Sequence, residues 1–351
     1  MENDGGQGVR SLLVRRGLTL LGEPVDLTRG GSLRFDFVAR YDQPGERTEE
    51  VSASGTAADG SAVIRRASAR VQVVAPPKAG PRLLPVPGGP PIELVPVAAG
   101  EFLMGSDPKK DRQAFDDEQP QHTLYLDEFA IGKYPVTVAQ FDAFITAAGH
   151  KSMAEKEGYG WAWSGSQWEK VQGADWRHPR GPKSDVSSKA DHPVTQVSWS
   201  DAVAFCEWLG VQLPSEAQWE KAARGSDGRL YPWGNPAPDK TRCNFNMNVD
   251  DTTPVGMYPG GASPCGALDM SGNVWEWTRS LWGKDPGKSQ YGYPYRADDG
   301  RENLNAPDDV LRVVRGGSFF DDARFVRCAV RLSLRPWNVD LGFRVCVSPG
   351  L

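Results

Sequence analysis

Seven prolines fall between Ala75 and Pro91, at positions 76, 77, 81, 85, 87, 90 and 91 of APPKAGPRLLPVPGGPP. Proline fixes φ and supplies no amide donor, so neither a helix nor a central strand can run through such a segment. It reads as a stiff, extended linker over 76–91 that cuts the chain in two. The part before it is patterned for strands. Leu33, Phe35, Phe37, Ala39 and Tyr41 alternate with Arg34, Asp36, Val38 and Arg40, and Ala67, Ala69, Val71 and Val73 alternate with Ser68, Arg70 and Gln72. Leu12 to Leu21 is a third candidate. Alternation of period two belongs to half-buried strands. Residues 1–75 are expected to form a small β-rich domain, with an immunoglobulin-like sandwich as one arrangement and a sheet extension of the main domain as the other.

After the linker the punctuation changes. Thr137 with Gln140, and Ser215 with Gln218, are capping boxes, in which each side chain accepts from the other's backbone amide. The first opens a helix with Val138, Phe141, Phe144 and Ile145 on one face, stopped by Gly149. The second opens a short helix through Ala223, stopped by Gly225. Ser198 or Ser200 opens another, with Ala202, Phe205, Cys206 and Leu209 at helical spacing before Gly210. From about residue 226 onward the chain reads as loops and short strands. With 39 Gly, 28 Pro and 12 Trp in 351 residues, long helices and a doubly wound sheet are excluded, and an α+β domain whose loops carry the function is expected.

The net charge of -5 gives no electrostatic footprint for nucleic acid. No stretch has the length of a membrane span, and the N-terminus lacks the apolar run of a secretory signal, which points to a cytoplasmic protein. The five cysteines (206, 243, 265, 328 and 346) are far apart and include no CxxC pair, as in a chain of reduced thiols.

Arg315 to Cys346, RGGSFFDDARFVRCAVRLSLRPWNVDLGFRVC, fits neither strand nor helix. Apolar and charged residues do not separate with either period, arginines recur at 324, 327, 331 and 335, and glycines and Pro336 interrupt it. Phe320, Phe325, Leu332 and Leu334 interleave with Asp321, Asp322, Arg327 and Arg331. Apolar anchors among adaptable polar groups on a rigid frame are the composition of a binding surface.

Seven blocks carry a family resemblance: AGEFLMGS (99–106), DEFAIGKYPVTVAQF (127–141), HPVTQVSWSDAVAFCEWLG (192–210), LPSEAQWEKAARG (213–225), YPWGN (231–235), LDMSGNVWEWT (268–278) and RGGSFF…AVR…LGFRV (315–345). Together they resemble the formylglycine-generating-enzyme and sulfatase-modifying-factor family over about residues 92–347. The resemblance implies a loop-rich variant of the C-type lectin fold for 92–351, preceded by the β-rich part. One scaffold can carry several activities. The enzymes of this family use two cysteines downstream of Arg-Gly-Gly-Ser to bind copper and oxidise a substrate cysteine. Thiolates suit Cu(I). Counted from Ser318, those positions hold Asp321 and Val326, so no copper is expected. A second branch, the iron-dependent sulfoxide synthases, needs clustered histidines. Here His122, His150, His178 and His192 stand apart.

A third branch, the variable proteins of diversity-generating retroelements, displays a randomised patch near the C-terminus. The segment resembles such a patch, with a variable face 319–341 made of Phe320, Asp321, Asp322, Phe325, Val330, Leu332, Leu334, Val339 and Asp340. Phe, Asp, Val and Leu all arise from an AAC codon by changing adenines alone. The expectation is a non-catalytic, ligand-binding protein, not an enzyme, that grips a protein or other macromolecule through this face. Two alternatives stand beside it: a divergent copper oxidase using Cys328, and an interaction module that docks through residues 1–75. The resemblance also implies a structural calcium at Asp269 and Glu276 by side chain with Gly272 and Val274 by carbonyl, and a second site at Asn244 and Phe245 with Asp250 or Asp251. The tryptophans 199, 208, 219, 233, 275 and 277 are assigned to core packing, and 150–190 and 279–310 to loops.

Overall fold

The computed structural model describes residues 82–334 and 336–348, together with the backbone of five strands before residue 74. The chain divides into two compact units, Met1–Lys78 and Ala79–Leu351. The described part of the first unit is all strand: β1 (Val9–Arg16), β2 (Thr19–Leu20), β3 (Val25–Leu27), β4 (Gly45–Ala57) and β5 (Ala62–Val73). They form one antiparallel sheet in the order β2-β1-β4-β5, with β3 also on β1. The expected strands at Leu12–Leu21 and Ala67–Val73 lie on β1, β2 and β5. The one expected at Leu33–Tyr41 falls outside the described residues.

In the second unit β6 (Arg82–Leu84), β7 (Ile92–Val97), β8 (Gly100–Met104), β9 (His122–Leu126) and β10 (Phe129–Gly132) lead into helix α1 (Val138–Ala148). There follow α2 (Met153–Glu157), β11 (Tyr159–Trp163), β12 (Trp168–Gln172), α3 (Trp199–Leu209) and α4 (Glu216–Arg224). The unit closes with β13 (Trp275–Gly283), β14 (Leu311–Arg315), β15 (Arg331–Leu332), β16 (Leu341–Phe343) and β17 (Cys346–Val347). Two four-stranded sheets run in the orders β17-β10-β7-β6 and β15-β14-β13-β16, and β8-β9 and β11-β12 are separate hairpins. Within the proline-rich segment, the described residues 82–91 pack onto the rest of the second unit. Arg82–Leu84 pairs with β7 as an edge strand, Val86 is buried, and the carbonyls of Pro90 and Pro91 accept from Gln140 Nε2. Prolines are tolerated there because the edge needs no inward donor. Helix α2 and the β11-β12 hairpin likewise replace loop expected in 150–190. Ser152 and Glu155 form the capping box that announces α2.

Helices α1, α3 and α4 start at Thr137, Ser198 and Ser215, each with a complete capping box. Their apolar faces pack Phe141, Phe144 and Phe205 against Trp176, Trp275, Trp277 and Phe343. Of the six tryptophans assigned to the core, Trp219, Trp275 and Trp277 are buried, and Trp199, Trp208 and Trp233 are half-buried.

A set of buried ion pairs ties the C-terminal stretch to the rest. Glu216 takes Arg331 through both oxygens, at 2.9 and 2.9 Å, and Arg301 at 3.1 Å. One turn along α4, Glu220 takes Arg224 at 2.7 Å, Arg315, and the Gly105 amide at 2.7 Å. Against the cost of burial, Arg315 and Arg224 hold the Glu220 carboxyl below its ordinary range. Glu276 takes Arg344 at 2.6 and 2.7 Å and the Trp219 indole at 2.8 Å. Glu118 takes Arg327 at 2.8 and 2.7 Å. Of the arginines in 315–346, Arg315, Arg327, Arg331 and Arg344 are therefore buried counter-ions, while Arg324 is exposed. Removing one partner of such a pair strands a charge, at a cost of about 3–5 kcal/mol. Glu276→Gln is expected to lose that much in urea unfolding. Asp309→Asn, at the exposed Lys284–Asp309 pair, is expected to lose under about 1 kcal/mol.

Candidate active site

The turn after β14 begins with Gly316 and Gly317 at φ of 102° and 71°. A Cβ on Gly317 would lie 2.7 Å from Val326 Cγ1 and 3.0 Å from the Phe325 carbonyl, so only glycine lets the chain fold back here. The fold-back sets Ser318 over Asp321. Asp321 Oδ2 accepts from the Ser318 amide at 2.8 Å and from its hydroxyl at 2.7 Å. The Asp321 and Phe319 carbonyls are held by the amides of Asn246 and Met247, both at 2.7 Å. From β16's approach comes Asp340, whose carbonyl accepts from Trp275 N at 2.8 Å. Its carboxyl is buried and lies near Ser318 and Asp321, and Asp340 Oδ1 has no hydrogen-bond partner.

Two carboxyls flanking one hydroxyl cannot both ionise easily away from water. Burial, then the neighbouring Asp321, pushes the Asp340 carboxyl up to about 7, against the Ser318 hydrogen bond. Burial also raises Asp321, opposed by hydrogen bonds from Ser318 and Trp275. Asp321 is half-buried as a residue, but its carboxylate turns inward onto Ser318. Beside the pair, the Phe320 ring meets Trp168 at 5.3 Å and Trp163 at 6.4 Å, all three partly exposed.

Of the nine residues expected on a variable face, Phe320, Asp321, Asp322, Phe325, Leu332 and Leu334 are wholly or partly exposed. Val330, Val339 and Asp340 are not on the surface. They are 0, 2 and 3% exposed, because this stretch runs through the core on its way to β15 and β16. Random replacement at those three would disturb packing. Val326 is buried as well, and Phe325 rests on Phe115 at 5.4 Å. Cys328 lies in a packed apolar cluster, its thiol pushed up to about 12 by burial, and Cys243 and Cys346 are raised to about 12 in the same way. No group of three His, Cys, Asp or Glu side chains among the described residues is placed to hold a metal ion.

The calcium set Asp269, Gly272, Val274 and Glu276 does not fit an oxygen cage. Glu276 spends both oxygens on Arg344 and Trp219, Asp269 Oδ2 accepts from the Gly256 amide at 2.7 Å, and the Gly272 carbonyl accepts from Val274 N at 3.0 Å. The second set is looser. Asn244 Oδ1 is buried without a partner, but Asp251 pairs with Lys189 at 2.6 Å. The sequence pattern gives no functional role to Ser318, Trp163 or Trp168. The Ser-x-x-Asp spacing of 318 and 321 was the signal available for Ser318.

Residues 85–349 match the Sulfatase-modifying factor enzyme 1-like domain, and the chain belongs to that family. Its fold is the family's α+β, C-type-lectin-type domain. The formylglycine-generating enzyme of Bos taurus is 34% identical over 298 residues, covering 74% of this chain and 76% of that protein. The inactive C-alpha-formylglycine-generating enzyme 2 of Bos taurus is 32% identical over 310 residues, covering 77% of this chain and 92% of that protein. The Treponema denticola variable protein 1 structure superposes with a TM-score of 0.52 at 21% identity, covering 76% of this chain and 99% of that one, a likeness that speaks for the fold. The expectation that the chain is not an enzyme is corrected by these relatives, since five that are 33–36% identical are named as formylglycine-generating enzymes. Among the described residues no helix is long and apolar enough to cross a membrane.

The raised Asp340 carboxyl has a consequence for stability. Its folded value near 7 lies above the ordinary 3.8, so it stabilises the fold at low pH, and that contribution is lost as pH rises through 7. Relative to wild type, Asp340→Asn should gain on the order of 3 kcal/mol between pH 5 and pH 8. Urea unfolding at the two pH values measures this, and an unchanged difference would remove the assignment.

Proposed function

We propose that this chain is a family enzyme whose centre is a carboxylate pair, Asp321 and Asp340 joined through Ser318, in place of a copper-binding thiolate pair. The observation that carries the reading is Asp340 Oδ1, buried and unpartnered beside Asp321. At neutral pH one carboxyl of the pair holds a proton and the other is free to take one. This suits general acid–base chemistry, for which a group poised near the working pH is most effective. The Ser318 amide and hydroxyl orient Asp321. Phe320, Trp163 and Trp168 offer an apolar wall to the part of the substrate next to the reacting group. Further along, the exposed or partly exposed Asp322, Phe325, Leu332 and Leu334 form a rim of apolar and charged side chains suited to a protein or other macromolecular substrate.

Two assays on the full chain test this. An aryl epoxide, which esterifies a carboxyl pair that shares a proton, should label Asp321 or Asp340 once per chain, more slowly as pH rises through 7. Peptide mapping of wild type and Asp340→Asn should show the label lost in the variant, and equal labelling of both would refute the pair. The second assay offers a peptide carrying a sulfatase-type cysteine, in air with added copper. Its thiol is expected to survive, and an aldehyde trapped by a hydrazide would overturn the carboxylate reading in favour of the relatives' named activity.

A further inference from the structure

Seven arginines are buried among the described residues: Arg224, Arg301, Arg312, Arg315, Arg327, Arg331 and Arg344. Six of them touch a carboxylate directly. Arg312 does not. Its Nη1 and Nη2 donate to the carbonyls of Val310 and Ala306, its guanidinium lies 4.3 Å from the Trp199 ring centre, and its Nε is buried without a partner. A chain that pairs every other buried guanidinium with an anion has left this one open. Burial pulls the Arg312 guanidinium below its ordinary value, the sign of a charge short of compensation.

Arg312 lines a cavity of ≈ 270 Å³ that none of Ser318, Asp321 and Asp340 enters. Its other walls include Trp199, Trp277, Trp337 and Leu334. The three indole N–H groups are already bonded, to the carbonyls of Thr278, Val197 and Tyr159 at 2.9, 3.0 and 2.9 Å. The rings therefore present apolar surface, with no donor of their own to spare. Asp308, exposed at the rim, is the one carboxylate lining the cavity, and no ion pair joins it to Arg312. Ser198 and Ser200 also line it, and an aromatic-walled hollow with a few polar groups is the usual form of a small-molecule site.

We infer that this cavity binds a small organic anion, an aryl carboxylate, with the carboxylate at the Arg312 guanidinium and the ring against Trp277, Trp337 and Leu334. The buried donor supplies charge recognition, since hydrogen bonds between ions are the stronger ones. The apolar walls supply affinity in proportion to the ring area they cover. A two-ring acid is within the volume available.

The test titrates the full chain with 2-naphthoate and, separately, with the uncharged 2-naphthamide, by calorimetry. Naphthoate should bind saturably and the amide at least about tenfold more weakly, a gap of 1.4 kcal/mol. Arg312→Met should lose the preference for the acid while melting at or above the wild-type temperature, because an uncompensated buried charge is removed. Asp308→Asn should bind naphthoate more tightly, its rim repulsion gone. Leu334→Trp, which fills the cavity from its partly exposed wall without touching Arg312, should block both probes. Absence of saturable naphthoate binding, equal binding of acid and amide, or a preference that survives Arg312→Met would each overturn the site.

Discussion

Buried arginine–glutamate pairing is the constraint on which the second unit depends. A carboxylate or guanidinium taken out of water is tolerable only with a counter-ion in good geometry and its remaining hydrogen-bonding sites filled. Glu216 and Glu220, one turn apart on α4, meet that condition with Arg331 and Arg301 on one side and Arg224 and Arg315 on the other. The bidentate fork of arginine fixes direction as well as distance. Such pairs matter most in a domain with short helices and short strands. Where few backbone ladders define the path, ion pairs of fixed geometry between α4, β14, β15 and the segment behind β16 set which loop lies where. The same scaffold then leaves the turn at Gly316–Asp321 fixed tightly enough to hold two carboxyls together.

Much of this was legible in the sequence, for local reasons. The caps at Thr137, Ser198 and Ser215 and the stops at Gly149, Gly210 and Gly225 act within four residues, so the sequence displays them directly. The edge strand Arg82–Leu84 was not legible, because its partner is ten residues away and its prolines disguise it. The stretch 315–346 was misread as largely surface for a similar reason. Arg315, Arg327, Arg331 and Arg344 look like solvated charge, and their partners at 220, 118, 216 and 276 are invisible to any periodicity. Asp340 was expected among the residues of the variable face. It is a floor residue, and its meaning comes from Asp321, nineteen positions earlier in the chain and beside it in space.

Family membership and chemistry separate at this point. The relatives include proteins named as formylglycine-generating enzymes and two named as inactive, so the scaffold does not dictate one reaction. What differs is the chemistry at a few positions of one turn. With Asp321 at the place where the resemblance puts a copper-binding cysteine, the ligand character changes from soft sulfur to hard oxygen. With Asp340 close by, the same place acquires a proton that is exchangeable near neutrality. Cys206, Cys328 and Cys346 lie in apolar packing, where burial holds their thiols protonated. In the proposed reading, recognition falls to a different set of side chains, Phe320, Trp163 and Trp168, whose rings meet where the turn approaches the hairpin β11-β12.

The central claim is that Ser318 bridges two carboxyls that share a proton at neutral pH. Carbon-detected NMR of the full chain, labelled at the aspartate side-chain carboxyl carbons, tests it most directly. The account predicts one carboxyl resonance that titrates near pH 7 and disappears in Asp340→Asn, with a second, assigned through Asp321→Asn, that responds to the same titration. If both carboxyls are already ionised at pH 5, and neither resonance moves between pH 5 and pH 9, the pair does not share a proton and the account is wrong.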